Sequence, residues 1–74
     1  MTSAPVQGAQ VVSRAAALLR IVGRRPEGSP LVELVRESGL TRPTAHRLLT
    51  SLAAEGLLDQ DPHTGNWVLG PAIL

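Results

Sequence analysis

Apolar residues recur at helical spacing in three stretches of this chain and gather into two short runs in a fourth. In the first stretch Val12, Ala15, Ala16, Leu18, Leu19, Ile21 and Val22 cover much more than the roughly 100° stripe a surface helix needs, interrupted only by Ser13, Arg14 and Arg20. Ser13 is a good N-cap, so the pattern predicts a first helix from Ser13 to Gly23. Two buried faces account for its wheel, one on the core and one on a partner; an ordinary helix rich in indifferent alanines accounts for it as well. The residues before it, 1–10, are small and polar with Pro and Gly, the composition of a mobile tail. In the second stretch Ser29-Pro30 reads as N-cap and first helical position. Leu31, Leu34 and Val35 supply its apolar face, Arg36 and Glu37 face water, and Gly39 ends it in the left-handed conformation.

The third stretch has two unlike faces. Leu40, Ala45, Leu48, Leu49 and Leu52 form an apolar stripe, while Arg42, Thr44, His46, Arg47 and Thr50 lie off it, toward the helix N-terminus. Thr41 caps this helix. Pro43 is tolerated in the first turn but disfavours the α region for the residue before it, which places Arg42 half outside the helix. The helix runs to Ala54-Glu55 and stops at Gly56. Leu57-Leu58 and Asn66-Trp67-Val68-Leu69 then flank the turn Pro62-His63-Thr64-Gly65, the pattern of a β-hairpin. Gly70-Pro71-Ala72-Ile73-Leu74 reads as a turn leading toward another helix. Helix, helix, tight glycine turn, helix and hairpin is the order of a winged helix-turn-helix. The fold class is mostly α with one small β-hairpin, a single domain over residues 11–69.

Composition narrows the chemistry. With 74 residues the core is modest, and without cysteine there is no disulfide framework and no thiolate metal site. His46 and His63 sit in different elements, so no metal is expected, and no cofactor. Paired carboxylates in a cleft, a nucleophile with its base and a phosphate-binding glycine loop are all missing, which excludes an enzyme. The lone aromatic residue, Trp67, is too little for single-strand or RNA binding, which relies on stacking rings; it reads as a core anchor for the hairpin. No apolar run approaches the ~20 residues of a membrane span, and Met1-Thr2-Ser3-Ala4-Pro5 is no signal peptide, so the expected compartment is the cytoplasm. Net charge is only +1, yet all seven basic residues are arginine. Compositional drift toward Arg explains the choice of residue equally well, but not where the arginines sit.

In a helix-turn-helix the second helix enters the major groove with its N-terminal residues against base edges and its flanks against phosphates. Arg42 and Arg47 suit guanine O6/N7 or phosphate, and Thr44 suits a base, a phosphate or the thymine methyl. For His46, contact with DNA and simple exposure are both open. Thr41, Pro43 and Thr50 complete the candidate face. The helix N-terminus adds backbone donors and a positive dipole, of which Pro43 removes one donor. The hairpin tip carries no arginine and is flanked by Asp59 and Asp61, which predicts a weak wing contact. Arg24 and Arg25 fit either phosphate contact or a solvated loop. The competing reading is a winged helix used only for protein interaction or dimerisation; such modules lose the arginines at the front of the third helix, and Arg42 and Arg47 favour DNA.

Several runs carry a family resemblance: Ser13-Arg14-Ala15-Ala16-Ala17-Leu18-Leu19, Leu34-Val35-Arg36-Glu37-Ser38-Gly39-Leu40, Thr44-Ala45-His46-Arg47-Leu48-Leu49, Leu52, Glu55-Gly56-Leu57-Leu58 and Val68-Leu69-Gly70-Pro71. Together, over residues 6 to 74, they resemble the N-terminal domain of IclR-type transcriptional regulators. The resemblance implies a winged helix-turn-helix on double-stranded operator DNA, in bacterial and archaeal repressors or activators that work as dimers or tetramers. Pairing would run through helix 1, around Ala16 and Leu19. A small-molecule effector would bind a larger C-terminal domain, with residues 70–74 at the start of the linker helix leading to it. Two positions depart from the family pattern. Pro43 stands where many relatives carry serine or another polar residue, and the wing lacks the basic residues some of them have.

Overall fold

A computed structural model describes residues 8–73. It contains three helices, α1 (Ala9–Gly23), α2 (Leu31–Ser38) and α3 (Arg42–Ala54), followed by two strands, β1 (Leu58–Gln60) and β2 (Trp67–Leu69). The strands pair antiparallel with Leu58 opposite Leu69, Asp59 opposite Val68 and Gln60 opposite Trp67. This is the winged helix-turn-helix that the hydrophobic pattern predicts.

Each helix contributes one face to a single core. Leu18 and Val22 of α1, Leu34 of α2, Leu49 of α3, and Leu58 and Trp67 of the hairpin are buried together. The stripe on α3 behaves as its spacing demands: Ala45, Leu49 and Leu52 are buried, and Leu40 and Leu48 pack against the same cluster. Trp67 is 2% exposed, which makes it the core anchor the sequence suggests. Gly39 adopts φ 73°, and its N–H donates to the Val35 carbonyl at 3.0 Å. That left-handed residue is the pivot of the turn between α2 and α3.

The structure corrects four local expectations. First, α1 starts at Ala9, not Ser13, with Gly8 (φ 89°) at its N-cap. Nothing in Ala9-Gln10-Val11-Val12 stops a helix, so good propensity carries it past Ser13 to the first glycine. Ala9 and Gln10 therefore belong to α1; residues 1–7 of the expected tail lie outside the described residues. Second, Ser29 does not cap α2. It is fully buried and paired with Trp67 in an isolated antiparallel bridge, and Pro30 takes the N-cap place with extended backbone. Third, Glu37 does not face water. Its carboxylate accepts from Arg25 Nη2 at 2.6 Å, while Arg25 Nη1 donates to Ser29 Oγ at 3.2 Å. Arg25 is thus a half-exposed strut between the loop after α1 and the end of α2, its guanidinium engaged by Ser29 and Glu37. Fourth, Arg42 is the first residue of α3 and not half outside it, since Thr41 carries the extended conformation of the cap.

Candidate nucleic-acid interface

The front of α3 is built by two constraints. Ala45, Leu49 and Leu52 fix which side of the helix faces the core, with Leu48 on its edge, so His46, Arg47 and Thr50 face outward. Thr41 fixes where the helix begins: its Oγ1 accepts from the Thr44 N–H at 3.4 Å. Thr41, Arg42, Pro43, His46, Arg47 and Thr50 are all exposed, and Thr44 is half-buried behind the cap. Arg42, Pro43, His46 and Arg47 therefore share the exposed N-terminal front of α3, Thr41 caps it and Thr50 lies further along the helix.

They are not equivalent. Thr50 Oγ1 donates back to the His46 and Arg47 carbonyls at 3.1 and 3.0 Å, so its hydroxyl proton stays within the helix. Pro43 sits in the first turn, where its missing donor breaks no helical bond. Among the described residues the ion pairs engage Arg25 with Glu37 and Arg36 with Glu33. Neither takes up Arg42 or Arg47, whose guanidinium donors remain free for an incoming acceptor.

A groove of about 580 Å³ separates the start of α3 from the hairpin. Arg42 and His46, one helical turn apart, line one wall; Gln60 of β1 lines the other, and the Trp67 side chain lies beneath. Arg47 lies outside this groove, on the free front of the helix. The hairpin site residue that sequence reasoning passed over is Gln60. Its signal is faint, a neutral amide between two aspartates, and only the folded groove brings it opposite the start of α3.

The side of the domain carrying α1 is different in character. Val11 and Val12 are 53% and 69% exposed. With Ala15, Ala16 and Leu19 they form one bank of an apolar groove of about 420 Å³, whose other bank includes Leu48 and Leu52 of α3. Among the described residues no group of three His, Cys, Asp or Glu side chains could hold a metal ion, and no helix is long and apolar enough to cross a membrane.

Three helices, a glycine turn, an arginine-bearing front on the third helix and a two-stranded wing define a winged helix-turn-helix of the DNA-binding type. The family follows from comparison. The model of the IclR helix-turn-helix domain matches residues 11–62, and the chain belongs to that family. It is 38% identical over 65 residues to the glycerol operon regulatory protein of Streptomyces griseus, covering 88% of this chain and 26% of that protein. It is 36% identical over 70 residues to the acetate operon repressor of Salmonella typhimurium, covering 93% and 26%. The crystal structure of an IclR transcriptional regulator from Alicyclobacillus acidocaldarius superposes with a TM-score of 0.82 at 29% identity, over 88% of this chain and 26% of that one. The chain thus spans about a quarter of the length of these relatives. They are named as regulators of transcription, not as enzymes.

Proposed function

We propose that this domain binds double-stranded operator DNA sequence-specifically, with α3 in the major groove, as the DNA-reading part of a transcriptional regulator. The observation that carries the reading is the front of α3: Arg42 and Arg47 stand exposed at the N-terminal half of a helix whose back is buried, and neither is used in an internal ion pair. Arginine presented this way suits guanine edges and phosphates. Thr44, Thr41, Pro43, His46 and Thr50 form the rest of the contact face.

The domain pairs with a second copy through α1. The apolar groove beside Ala16 and Leu19, with Val11 and Val12 left exposed on its rim, supports this. Two domains then read half-sites about one helical turn apart, or a multiple of it. Any small-molecule effector is read by chain outside these 74 residues, joined through a linker that starts near residue 70, and the regulator works in the cytoplasm.

The direct test is selection of bound duplexes from a random pool by the protein. Enrichment of a half-site motif is the expected result. Recovery of an unenriched pool together with salt-independent retention would favour a protein-interaction module instead.

A further inference from the structure

The hairpin tip uses its backbone donors in its own hydrogen bonds. Pro62 has no N–H. The His63 and Thr64 amides both donate to Asp61 Oδ1, at 2.7 and 3.2 Å. The Gly65 amide donates to the Asp61 carbonyl at 2.8 Å, and the Asn66 amide to Thr64 Oγ1 at 3.1 Å. Every backbone donor from 62 to 66 is therefore consumed within the turn, and a carboxylate, the group a phosphate avoids most, organises it.

The stem of the hairpin is the opposite. Gln60 is exposed, and its Nε2 donates to the Gly65 carbonyl at 2.9 Å, which holds the amide in place while leaving its second N–H free. Across the groove stand Arg42 and His46, and no acidic side chain lines the space between. At about 580 Å³ the groove has room for a phosphate group between helix and wing. It offers a guanidinium, an imidazole and a fixed neutral amide, three donors that together suit the oxygens of a phosphodiester.

We propose that the groove between α3 and β1 is the seat of one DNA backbone phosphate, held by Arg42 and His46 from the helix and by Gln60 from the wing stem, so that the wing engages DNA at its base and not at its tip. This assignment rests on the DNA reading above and divides labour within it: Arg42 and His46 position the duplex, and Arg47 on the open front is left to read bases.

Because Gln60 is neutral, it releases no counterion. Gln60→Ala is expected to weaken binding about tenfold, the scale of one hydrogen bond to a charged group. The loss should be equal for a selected duplex and a scrambled one, with the slope of log K against log salt unchanged. Gln60→Arg places a charge in the same seat. It is expected to tighten binding at low salt and steepen that slope by about one, a gain that misfolding cannot produce. Removing the tip side chain with His63→Ala is expected to leave affinity as it was. Trp67 fluorescence reports the fold of each variant. The test is a salt titration by fluorescence anisotropy on both duplexes. If Gln60→Ala and Gln60→Arg bind as the parent protein does, or if only His63→Ala weakens binding, the seat is wrong while the DNA reading stands. If the parent protein shows no salt-dependent duplex binding, the DNA reading falls and the seat with it.

Discussion

Ser29 and Trp67 exchange both of their backbone hydrogen bonds: the Ser29 amide donates to the Trp67 carbonyl at 3.0 Å, and the Trp67 amide to the Ser29 carbonyl at 2.8 Å. This one bridge fastens the wing to the segment that leads into α2. It adds a third, one-residue strand to a hairpin that would be marginal on two strands alone. It also buries Ser29, whose hydroxyl is satisfied by Arg25, and it sets the height of Trp67 beneath the groove that faces α3.

Trp67→Ala should therefore be among the most damaging changes in the domain. Truncating a buried tryptophan costs about 3–5 kcal/mol, close to the whole stability expected of a chain this small. Thermal unfolding followed by far-ultraviolet circular dichroism should show a protein largely unfolded at 37 °C. A melting curve close to that of the parent would mean the hairpin stands without its anchor.

Two glycines separate strain from crowding. Gly39→Ala meets nothing within 4 Å but must hold φ 73°, so it should cost about 1–2 kcal/mol. A Cβ at Gly70 runs into the Gly56 carbonyl backbone, at the place where the Gly70 amide donates to the Leu57 carbonyl at 2.9 Å. Gly70→Ala should force the exit of β2 away from the end of α3 and cost more. Urea denaturation of the two variants side by side checks the order, and an equal loss would contradict it.

The Arg25–Glu37 pair should couple measurably. Its side chains are 37% and 22% exposed, so solvent screens part of the attraction, and a double-mutant cycle with Arg25→Ala and Glu37→Ala should return about 0.5–1 kcal/mol. The coupling should shrink as salt is raised. A value of zero would leave the pair without a role in holding the end of α2.

Arg47→Ala and Arg42→Ala should differ in kind. Loss of a base-reading arginine should cost about 1–3 kcal/mol on the selected duplex and relax discrimination at one position. Loss of a phosphate contact should weaken all duplexes alike and lower the salt slope by about one. Arg47→Ala is expected to follow the first pattern and Arg42→Ala the second. Arg36→Ala, whose side chain pairs with Glu33 on α2, is the control that should do neither.

Val12→Glu addresses pairing. Val12 is 69% exposed, so a charge there should change monomer stability by no more than about 0.5 kcal/mol. Sedimentation equilibrium should show self-association of the parent at high concentration and its loss in Val12→Glu. A parent that stays monomeric throughout would count against α1 as the pairing face.

Much of this architecture is written in local patterns. The spacing of Ala45, Leu49 and Leu52 carries the orientation of α3, and Thr41 and Gly39 mark its entry by the demands of capping and of positive φ. The order of elements and the polar front of α3 need nothing beyond that spacing, because a helix with one apolar side can face a core in only one way. The same logic reached too far at Ser13 and Ser29. Both are good N-caps in isolation; one lies inside a helix that continues to Gly8, and the other is drawn into a bridge whose partner is 38 residues along the chain. Capping preference is worth about 1 kcal/mol, and burial against Trp67 outweighs it.

What the sequence determined by itself was the set of helices, the turn between α2 and α3, the hairpin and the exposure of Arg42 and Arg47. These depend on periodicity and on residues whose backbone preferences act within a few positions. Only the tertiary structure decided that Arg25 belongs to Ser29 and Glu37, and that Gln60 shares a groove with Arg42 and His46. Each of those is a meeting of side chains from different elements. Such meetings follow from packing and strand register, and no spacing along the chain encodes them.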